Sequence, residues 1–337
     1  MPPVGYGGIE RNVDLMCRGL AKQGHRVHLM AGPGSKDYGG GLTIHRAPSL
    51  AYCSRACRKI WFQFLVARAA AGMDLVINHG RVDYLEILYK TKKPLIHWFH
   101  NPLTGREASY ILSRRKRGDY FVGISRSQTS DDPEAARFNV VYNAVDTEAI
   151  HFSPASENPP YLLSLGRITR NKGTHLAIEA ARQAGIKLVI GGNFTKEAGS
   201  AEYFETEVKP RLGPGCEWVS QFDDEQRNRL LGGATAMLFP TQWKEPFGAV
   251  IIESLAAGTP VIAWRIAATP EILKNGKTGF LCDSVSEMVE AIHRIKEISR
   301  SECRASAEER FSETAFMRQV DELLDSVAPS KACRRPA

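Results

Sequence analysis

The stretch KEPFGAVIIESLAAGTPVIAW, residues 244–264, indicates the fold most clearly. A Pro and an apolar run with helical spacing are followed by a Gly and by a short, mostly apolar run. Pro246 suits the first turn of a helix, where its missing N–H has no intrahelical partner to lose. We therefore expect a helix over residues 247–257 and a strand at PVIAW, which together form one helix-to-strand unit of a parallel sheet.

Two carboxylates within this stretch raise the question of a ligand. Glu253 interrupts the apolar helix, and it lies eight positions after Glu245. If helical geometry is extended backwards, the two acids lie about 80° apart around the axis and could face one cleft at different depths. The free N–H groups of residues 247–249, with the permissive Gly248, form a ready site for an anion. The alternative is that the two acids merely face water.

Short apolar strands alternate with helices along the whole chain, which predicts an α/β fold. Strands of this length between helices are typical of a parallel sheet that helices cover on both faces. A polar stretch with three prolines, residues 151–160, indicates a linker. We predict two Rossmann-like domains that face a cleft, 1–150 and 151–310, with ligands at the carboxyl ends of the strands. We expect a C-terminal helix, 311–328, to pack back toward the first domain.

Composition narrows the class of protein. The chain has 337 residues, of which 43% are hydrophobic. No window approaches about 18 consecutive apolar positions, so we expect no membrane span. The seven cysteines form no CxxC motif, which argues against a disulfide framework and against a zinc site. The first residues lack the pattern of a secretory signal, and we expect a cytoplasmic protein.

The charge is shared unevenly between the two halves. Residues 1–150 carry 21 Lys and Arg against 13 Asp and Glu, whereas the remaining residues carry 23 against 24. A basic half beside a nearly neutral half indicates an anionic partner on one side. A membrane surface, a nucleic acid and a phosphorylated substrate all have that chemistry.

Three further loops carry residues that suit phosphates or sugars. In LGRITRNKG, residues 165–173, Arg167 and Lys172 follow a strand and could clamp a diphosphate. An ordinary solvated turn is the alternative. The glycine loop GYGGIE, residues 5–10, opens a helix and is a second candidate cradle for phosphate. In HWFHN, His100 lies just past a strand end, which favours the cleft, although a lone His is more often structural.

Together these segments resemble the retaining glycosyltransferases of family 4, which have the GT-B fold. EPFGAVIIESLAAGTPVIA is similar to the family's motif of two acids separated by seven residues, and it carries the strongest part of the resemblance. GGIE with LAKQGHRV, YNAVD, GRITRNKG, TPEIL and GKTGFL match other family segments, so the resemblance covers nearly the whole chain. It implies a glycosyltransferase of the hexosyltransferase type that uses a nucleotide-diphosphate sugar, requires no cofactor and glycosylates an unidentified acceptor hydroxyl.

The resemblance also implies roles for the residues of the opening stretch. Glu245 would contact hydroxyls of the donor sugar, and Glu253 would bind the ribose diol of the nucleotide. The backbone amides of Phe247, Gly248 and Ala249 would meet the sugar or its phosphates.

By the same resemblance, Arg167 and Lys172 neutralise the leaving diphosphate. The loop around Gly7 and Gly8 approaches it from the other domain, and His100 sits over the sugar. Negative charge develops on the leaving group as the glycosyl–phosphate bond breaks, so placed cations and helix amides stabilise the transition state. No DxD-like pair stands at a strand end, and we expect no metal site. The leaving phosphate itself takes the acceptor's proton.

The start of the sequence departs from the family. Family members begin with an apolar strand before the glycine loop, whereas Met1 stands only six residues before Gly7. We expect the first strand of the N-terminal domain to be missing, through a start placed too late or through truncation. A nucleotide-sugar-binding protein without turnover and a GT-B phosphorylase are the rival interpretations. A Rossmann oxidoreductase is disfavoured because no GxGxxG is followed by an acid at the right distance.

The basic residues of the first half concentrate in residues 54–68 and 112–121. The first cluster mixes Arg and Lys with aromatic residues, as interfacial helices do. This interpretation predicts peripheral contact with an anionic membrane and a lipid-linked or anionic acceptor, with no nucleic acid as partner. The alternative is that Ile60, Phe64 and Ala67 form the core-facing stripe of a long helix and the basic residues its solvated face.

Overall fold

A computed structural model of the chain consists of two structural units. The first unit comprises residues 1–143 and 313–337, and the second comprises residues 144–312. The structure describes residues 7–32, 34–35, 39, 41–46, 54–102, 110, 113, 120–130, 138–194 and 199–327. The expectation of a missing first strand concerns residues before Gly7, which lie outside the described part of the chain.

Helices and strands alternate in the first unit, as predicted. Two 3-10 turns, Val82–Leu85 and Leu88–Lys90, connect two of its strands. In chain order the elements are α1 (Gly8–Lys22), β1 (Val27–Ala31), β2 (Leu42–Arg46), α2 (Arg55–Ala70), β3 (Val76–Asn78), β4 (Leu95–Trp98), β5 (Tyr120–Gly123), α3 (Arg126–Ser130) and β6 (Asn139–Val140).

The described strands of the first unit form two parallel sheets. One sheet contains β1 and β2, and the other has the order β3-β4-β5-β6. All four residues of β4 are buried, because β4 has a neighbouring strand on each side. One core cluster joins α2 to this sheet through Val66, Ala70 and Leu95, with Phe62 of α2 packed against it.

The second unit contains the predicted alternation of strands and helices. The described elements are β7 (Tyr161–Leu165), α4 (Thr174–Ala184), β8 (Lys187–Gly191), α5 (Ser200–Tyr203), β9 (Cys216–Val219), α6 (Asp224–Gly233), β10 (Ala236–Phe239), α7 (Ala249–Ala256), β11 (Val261–Trp264), α8 (Thr269–Ile272), β12 (Gly279–Cys282), α9 (Val285–Arg294) and α10 (Arg300–Phe311). Short 3-10 turns lie at Arg170–Lys172 and Ile295–Glu297.

One helical segment of this unit is divided. Helix α5 is followed by a π-helical turn at Phe204–Val208 and by a 3-10 turn at Lys209–Arg211. Pro210 lacks the N–H that a continuing α-helix needs, which explains the change near the C-terminal end.

The sheet of the second unit has a point at which its strand order reverses. The six parallel strands follow the order β12-β11-β10-β7-β8-β9. From β7 the chain moves outward through β8 to β9, then returns to pair β10 with the other side of β7. Ligands of open parallel sheets bind outside the carboxyl ends of the two strands where the order reverses. The fold therefore predicts that a ligand binds at the loops that follow β7 and β10.

The boundary between the units lies between residues 143 and 144, whereas the sequence predicted it between residues 150 and 151. Residues 144–150 belong to the second unit, because hydrogen bonds tie them to α10. The Val145 N–H donates to the Phe311 carbonyl at 2.8 Å, and the Arg304 guanidinium donates to the carbonyls of Thr147 and Ile150 at 2.8 and 2.9 Å. Strand β6 is accordingly short, since it ends at Val140 and the chain then leaves the sheet.

The C-terminal helix α11 (Glu313–Val327) belongs to the first unit. It packs against α1, and two polar contacts accompany the packing. Lys22 Nζ donates to Glu313 Oε1 at 2.8 Å, and Gln23 Nε2 donates to Asp321 Oδ2 at 2.9 Å.

Candidate functional site

The reversal of strand order in the second unit brings two predicted site residues together. Lys172 lies in the loop after β7, and Glu245 lies in the loop after β10. Because β7 and β10 are parallel neighbours, both loops leave the same edge of the sheet. Lys172 Nζ and Glu245 Oε2 form an ion pair there. Arg167 lies in the same loop as Lys172 and is half-buried.

The ion pair is shielded from water and oriented by a tryptophan. The side chains of Lys172 and Glu245 are only 17% and 15% exposed. Trp243 Nε1 donates to Glu245 Oε2 at 2.8 Å, and the Lys172 ammonium lies 5.3 Å from the centroid of the Trp243 ring. Ammonium groups are attracted to the face of an indole at this distance. The sequence analysis missed Trp243, although an aromatic residue two positions before Glu245 was a signal.

Backbone contacts fix the two loops against each other. The Gln242 N–H donates to the Asn171 carbonyl at 2.7 Å. Gly173 has a φ of +73°, and a side chain at this position would collide with the carbonyl oxygen of Pro240. Only glycine meets both conditions at low strain. The geometry of the Lys172–Glu245 pair therefore rests on the glycine that closes GRITRNKG.

The helix of the opening stretch begins later than predicted. Helix α7 begins at Ala249, so Pro246 and Phe247 precede the helix rather than opening it. Gly248 takes a φ of +87°, which ends the extended loop and starts the helix. Glu245 therefore lies outside the helix, and the predicted angle of about 80° between the two acids is wrong.

The start of α7 retains the chemistry that the sequence indicates. The first N–H groups of a helix have no intrahelical partner and attract anions. Gly248 and Ala249 supply backbone atoms at this end of α7. The Phe247 side chain is buried and packs edge-on against Phe311, with ring centroids 5.9 Å apart. The side chain of Phe247 is therefore part of the core, and only its backbone is suited to a ligand.

Glu253 is buried and forms an ion pair with Arg227. Arg227 lies on α6, and both side chains are less than a tenth exposed. The alternative that the two acids merely face water is therefore wrong for both Glu245 and Glu253. A buried carboxylate needs a partner of opposite charge, because desolvation of an unpaired charge is costly. The sequence analysis missed Arg227, whose helix gave no sign of the pairing.

In the first unit, the predicted His100 is paired with a second histidine. His79 follows β3 and His100 follows β4, and these strands are parallel neighbours. His79 Nδ1 and His100 Nε2 are 2.9 Å apart and share a hydrogen bond. Gln128 fixes the loop after β4, because its Nε2 donates to the carbonyls of Phe99 and Asn101 at 3.1 and 2.7 Å. His79, which directly follows β3, was not predicted from the sequence.

Both imidazoles of this pair are neutral at neutral pH. Burial lowers the pKa of His100 to about 4. Burial, and then repulsion by His100, lowers the pKa of His79 well below its usual value. His100 Nδ1 has no hydrogen-bond partner among the described residues. The pair can therefore exchange hydrogen bonds with a ligand without adding positive charge.

The glycine loop leads into α1 as the sequence predicts. Gly7 is the residue before the helix, and Gly8 is its first residue. Gly5 and Tyr6 of the same loop lie outside the described residues. The role of Gly7 and Gly8 in binding a diphosphate stays a prediction.

The described residues were also compared with the expectations for metal sites and membrane spans. No group of three or more His, Cys, Asp or Glu in the described part of the chain is arranged to hold a metal ion. None of the described helices is long and apolar enough to cross a bilayer.

Family models match both units of the chain. Residues 146–317 match Glycosyl transferases group 1, and residues 6–149 match Glycosyltransferase Family 4. The chain belongs to the group 1 glycosyl transferases. This group of transferase enzymes is the one that the sequence motifs predict, so the predicted family is confirmed.

Curated relatives of this group 1 glycosyl transferase include two mycobacterial enzymes. It is 28% identical over 213 residues to the glycogen synthase of Mycobacterium tuberculosis, an alignment that covers 56% of this chain and 50% of that protein. The chain thus spans about half the length of that relative. It is 27% identical over 324 residues to the alpha-maltose-1-phosphate synthase of Mycolicibacterium smegmatis, covering 83% of this chain and 81% of the relative.

A solved structure confirms the predicted fold. The Anabaena protein HepE, crystallised in complex with UDP-glucose, superimposes on this group 1 glycosyl transferase with a TM-score of 0.74. The two chains are 18% identical, and the match covers 96% of this chain and 97% of that one. At this identity the likeness shows the fold alone. The GT-B fold with two parallel-sheet Rossmann-like domains is therefore confirmed.

Proposed function

We propose that this group 1 glycosyl transferase moves a sugar from a nucleotide-diphosphate sugar to an acceptor hydroxyl, with retention of the anomeric configuration and without a metal ion. The ion pair of Lys172 and Glu245 at the reversal of strand order carries the proposal. It provides one cation for the diphosphate and one carboxylate for sugar hydroxyls at the edge where such sheets bind ligands.

The charges around this pair suit a departing diphosphate. Breaking the glycosyl–phosphate bond moves negative charge onto the leaving group. The Lys172 ammonium, the Arg167 guanidinium in the same loop and the amides at the start of α7 are suited to stabilise that charge. Because Lys172 is largely shielded from water, its attraction to a phosphate is stronger than in bulk solvent.

Two further contacts are part of the proposal, and the surroundings of Glu253 and His100 support them. Glu253 would accept hydrogen bonds from a ribose diol once Arg227 has fixed its orientation. His100, kept neutral by burial, would exchange a hydrogen bond with a sugar hydroxyl. The UDP-glucose complex of HepE supports a nucleotide sugar as donor, since the two chains share a fold. With no general base assigned, the leaving phosphate takes the proton of the acceptor.

The proposal is tested by incubating the purified protein with UDP-, ADP- and GDP-sugars and measuring release of the nucleotide diphosphate. We expect one donor to be hydrolysed slowly without acceptor and faster with hydroxyl acceptors, and proton NMR to show the donor's anomeric configuration in the product. Release should persist in EDTA. Transfer of the sugar from a sugar 1-phosphate to an acceptor hydroxyl, with release of inorganic phosphate, would instead identify a phosphorylase. Binding without turnover would identify an inert nucleotide-sugar-binding protein.

We also propose that the enzyme works in the cytoplasm on a lipid-linked or anionic acceptor at an anionic membrane. The alternative for α2 is wrong, since Ile60 and Phe64 are 70% and 54% exposed rather than part of the core. The core-facing side of α2 carries Phe62, Val66 and Ala70 instead. The second basic cluster, 112–121, lies mostly outside the described residues. Co-sedimentation with anionic vesicles at low and high salt tests the contact, and salt should weaken it.

A further inference from the structure

A cavity in the first unit lies apart from every residue assigned above. It has a volume of about 560 Å³ and lies between the sheet of β1 and β2 and the C-terminal half of α2. This volume is typical of sites for small ligands. Part of its wall is apolar and includes Met30, Ile44 and Leu65. The rest of its wall is almost entirely basic.

Among the described residues, three arginines and two histidines line the cavity, and none of the lining residues is acidic. Arg26 Nη2 donates to the Gly72 carbonyl at 3.1 Å, and Arg46 Nε donates to the Ser35 carbonyl at 2.7 Å. Arg68 lies on α2. None of these three arginines forms an ion pair with a described residue. Carbonyl contacts hold a guanidinium in place but leave its charge and most of its five N–H groups for a ligand.

The two histidines lie side by side on neighbouring strands. His28 Nδ1 and His45 Nε2 are 2.9 Å apart, and the rings stack with centroids 5.0 Å apart. This contact uses one nitrogen of each ring and leaves the other nitrogen for a further hydrogen bond. Burial, and then repulsion by His45 and Arg26, lowers the pKa of His28, so this ring offers an uncharged hydrogen bond. The three guanidinium groups around one cavity repel one another, and an anion within the cavity would relieve that repulsion.

A phosphate group is the anion that fits this lining. Guanidinium groups bind phosphate oxygens through two parallel N–H bonds, and imidazole N–H groups add further donors. The apolar part of the wall would contact the rest of a ligand that carries the phosphate. A bare ion would leave most of the volume to water, so the cavity favours a phosphate ester with organic substituents.

The helix that supplies Arg68 indicates the source of the phosphate. Ile60, Trp61 and Phe64 on α2 are 70%, 45% and 54% exposed, and the rings of Trp61 and Phe64 stack with centroids 5.8 Å apart. Phe64 lies one helical turn before Arg68, so the two side chains share a face. Exposed aromatic rings next to basic residues are typical of segments that lie in the interface of a bilayer.

We propose that this cavity binds the phosphate group of an anionic membrane lipid while Ile60, Trp61 and Phe64 enter the bilayer. The inference rests on the proposed membrane contact and assigns it a specific site. The arginines bind the phosphate, and the apolar side chains replace their contact with water by contact with acyl chains. Catalysis does not require these residues, so transfer between soluble substrates is independent of them.

The test measures binding to vesicles of phosphatidylglycerol and phosphatidylcholine by co-sedimentation, for the full chain and three variants. We expect Arg68→Gln to weaken binding about 10- to 100-fold, the factor that corresponds to losing a direct hydrogen bond to a charged group, and Arg26→Gln/Arg68→Gln to weaken it further. A basic residue that is merely near the surface contributes only about fivefold, so Arg58→Gln should cost no more than that. Arg58→Gln is the matched control, because Arg58 is exposed on α2 and does not line the cavity. Release of nucleotide diphosphate from a soluble donor should be unchanged in every variant.

Several outcomes would overturn this assignment. If Arg58→Gln and Arg68→Gln weaken vesicle binding equally, the contact is a general electrostatic one and the cavity is not a lipid site. If the wild type binds pure phosphatidylcholine vesicles equally well, binding does not depend on the net negative charge of the lipid. A third outcome is that the wild type does not bind vesicles, while inorganic phosphate raises its melting temperature and Arg68→Gln abolishes that rise. The cavity would then bind a soluble phosphate instead. A dimer that persists with vesicles absent and is lost in Trp61→Ser would assign the aromatic residues to self-association.

Discussion

Each unit of this group 1 glycosyl transferase carries a pair of side chains just beyond two adjacent parallel strands. In the second unit the pair is charged, Lys172 with Glu245, and an indole N–H orients it. In the first unit the pair is neutral, His79 with His100, because burial lowers the pKa of both rings. The same sheet geometry thus supplies charge on one unit and uncharged hydrogen bonding on the other. A reaction that expels a diphosphate from a sugar uses both properties.

The largest expected consequence concerns acid stability, because the histidines whose pKa values burial lowers most lie in the first unit. Burial lowers the pKa of His97 and of His100 to about 4, whereas a histidine in an unfolded chain titrates near 6.5. Between these values the unfolded state binds more protons than the folded state. The free energy of unfolding therefore falls as pH drops from 6.5 to 4, by up to about 1.4 kcal/mol per pH unit for each histidine. In the second unit His151 and His293 are exposed, and His175 is half-buried with a pKa that burial lowers.

Hydrogen exchange at pH 7 and pH 5, corrected for intrinsic rates, would measure this difference unit by unit. We expect opening of peptides from β4 to become much easier at pH 5, and peptides from β8 to change little. His97→Leu should reduce the pH dependence of the first unit by one proton, because the ring nitrogens of His97 have no partner among the described residues. Equal sensitivity of the two units to acid would contradict the comparison.

The second prediction concerns the charged pair. Lys172→Ala and Glu245→Ala should each lower turnover about 10²–10³-fold, the usual effect of losing one group that stabilises transition-state charge. The fold should survive, because both residues lie on loops rather than in the core. Steady-state rates of donor consumption, with melting curves as the control for folding, provide the measurement.

A double variant tests whether the two residues act on one bond. If Lys172 and Glu245 serve the same transition state, the combined loss should be smaller than the product of the single losses. Wild-type turnover in either single variant would remove that residue from the site.

The third prediction concerns the neutral pair and a smaller effect. His79→Phe removes the hydrogen bond that positions His100, and loss of one neutral hydrogen bond corresponds to about a fivefold change in kcat/KM. His100→Ala should cost at least as much, because that ring is the one assigned to the sugar. His79→Gln, which can still hydrogen-bond, should recover part of the loss. A wild-type kcat/KM in His79→Phe would show that His100 keeps its position without His79.

The sheet architecture could be predicted from the sequence because each strand of a parallel sheet is a short apolar run that can be recognised locally. Strands such as β2 and β10 are short apolar runs between helices, and their pattern is visible within a few residues. The loop residues Lys172 and Glu245 were found for a related reason. A charged residue directly after such a strand lies at the carboxyl edge, wherever the strand falls in the sheet.

The errors in predicted helix bounds and side-chain partners arose mainly where segments distant in sequence determine the local geometry. Helix α7 starts at Ala249 rather than at 247, because Gly248 takes a backbone conformation that the loop before it imposes. Arg227 was missed because it meets its carboxylate across a tertiary contact that no local pattern encodes. Trp243 lies only two positions before Glu245, so in that case a local signal was present and was not used. The exposed face of α2 was left open between two interpretations, because apolar residues lie all round that helix. Spacing alone could not decide which of them the sheet covers.

The last prediction uses a second lysine–glutamate pair of the same sheet as a control for the effect of Lys172→Ala. Lys187 Nζ and Glu217 Oε2 are 2.7 Å apart, closer than many strong ion pairs, but the side chains are 42% and 53% exposed. Lys187 begins β8 and therefore lies at the amino-terminal edge of the sheet, opposite the edge that carries Lys172. Exposed pairs contribute about 0.2–1 kcal/mol to stability, because water screens the charges and the side chains lose entropy. Lys187→Ala should thus leave turnover unchanged and lower the melting temperature only slightly, whereas a large loss of turnover would mean that the effect of Lys172→Ala reflects sheet stability rather than the charge of the site.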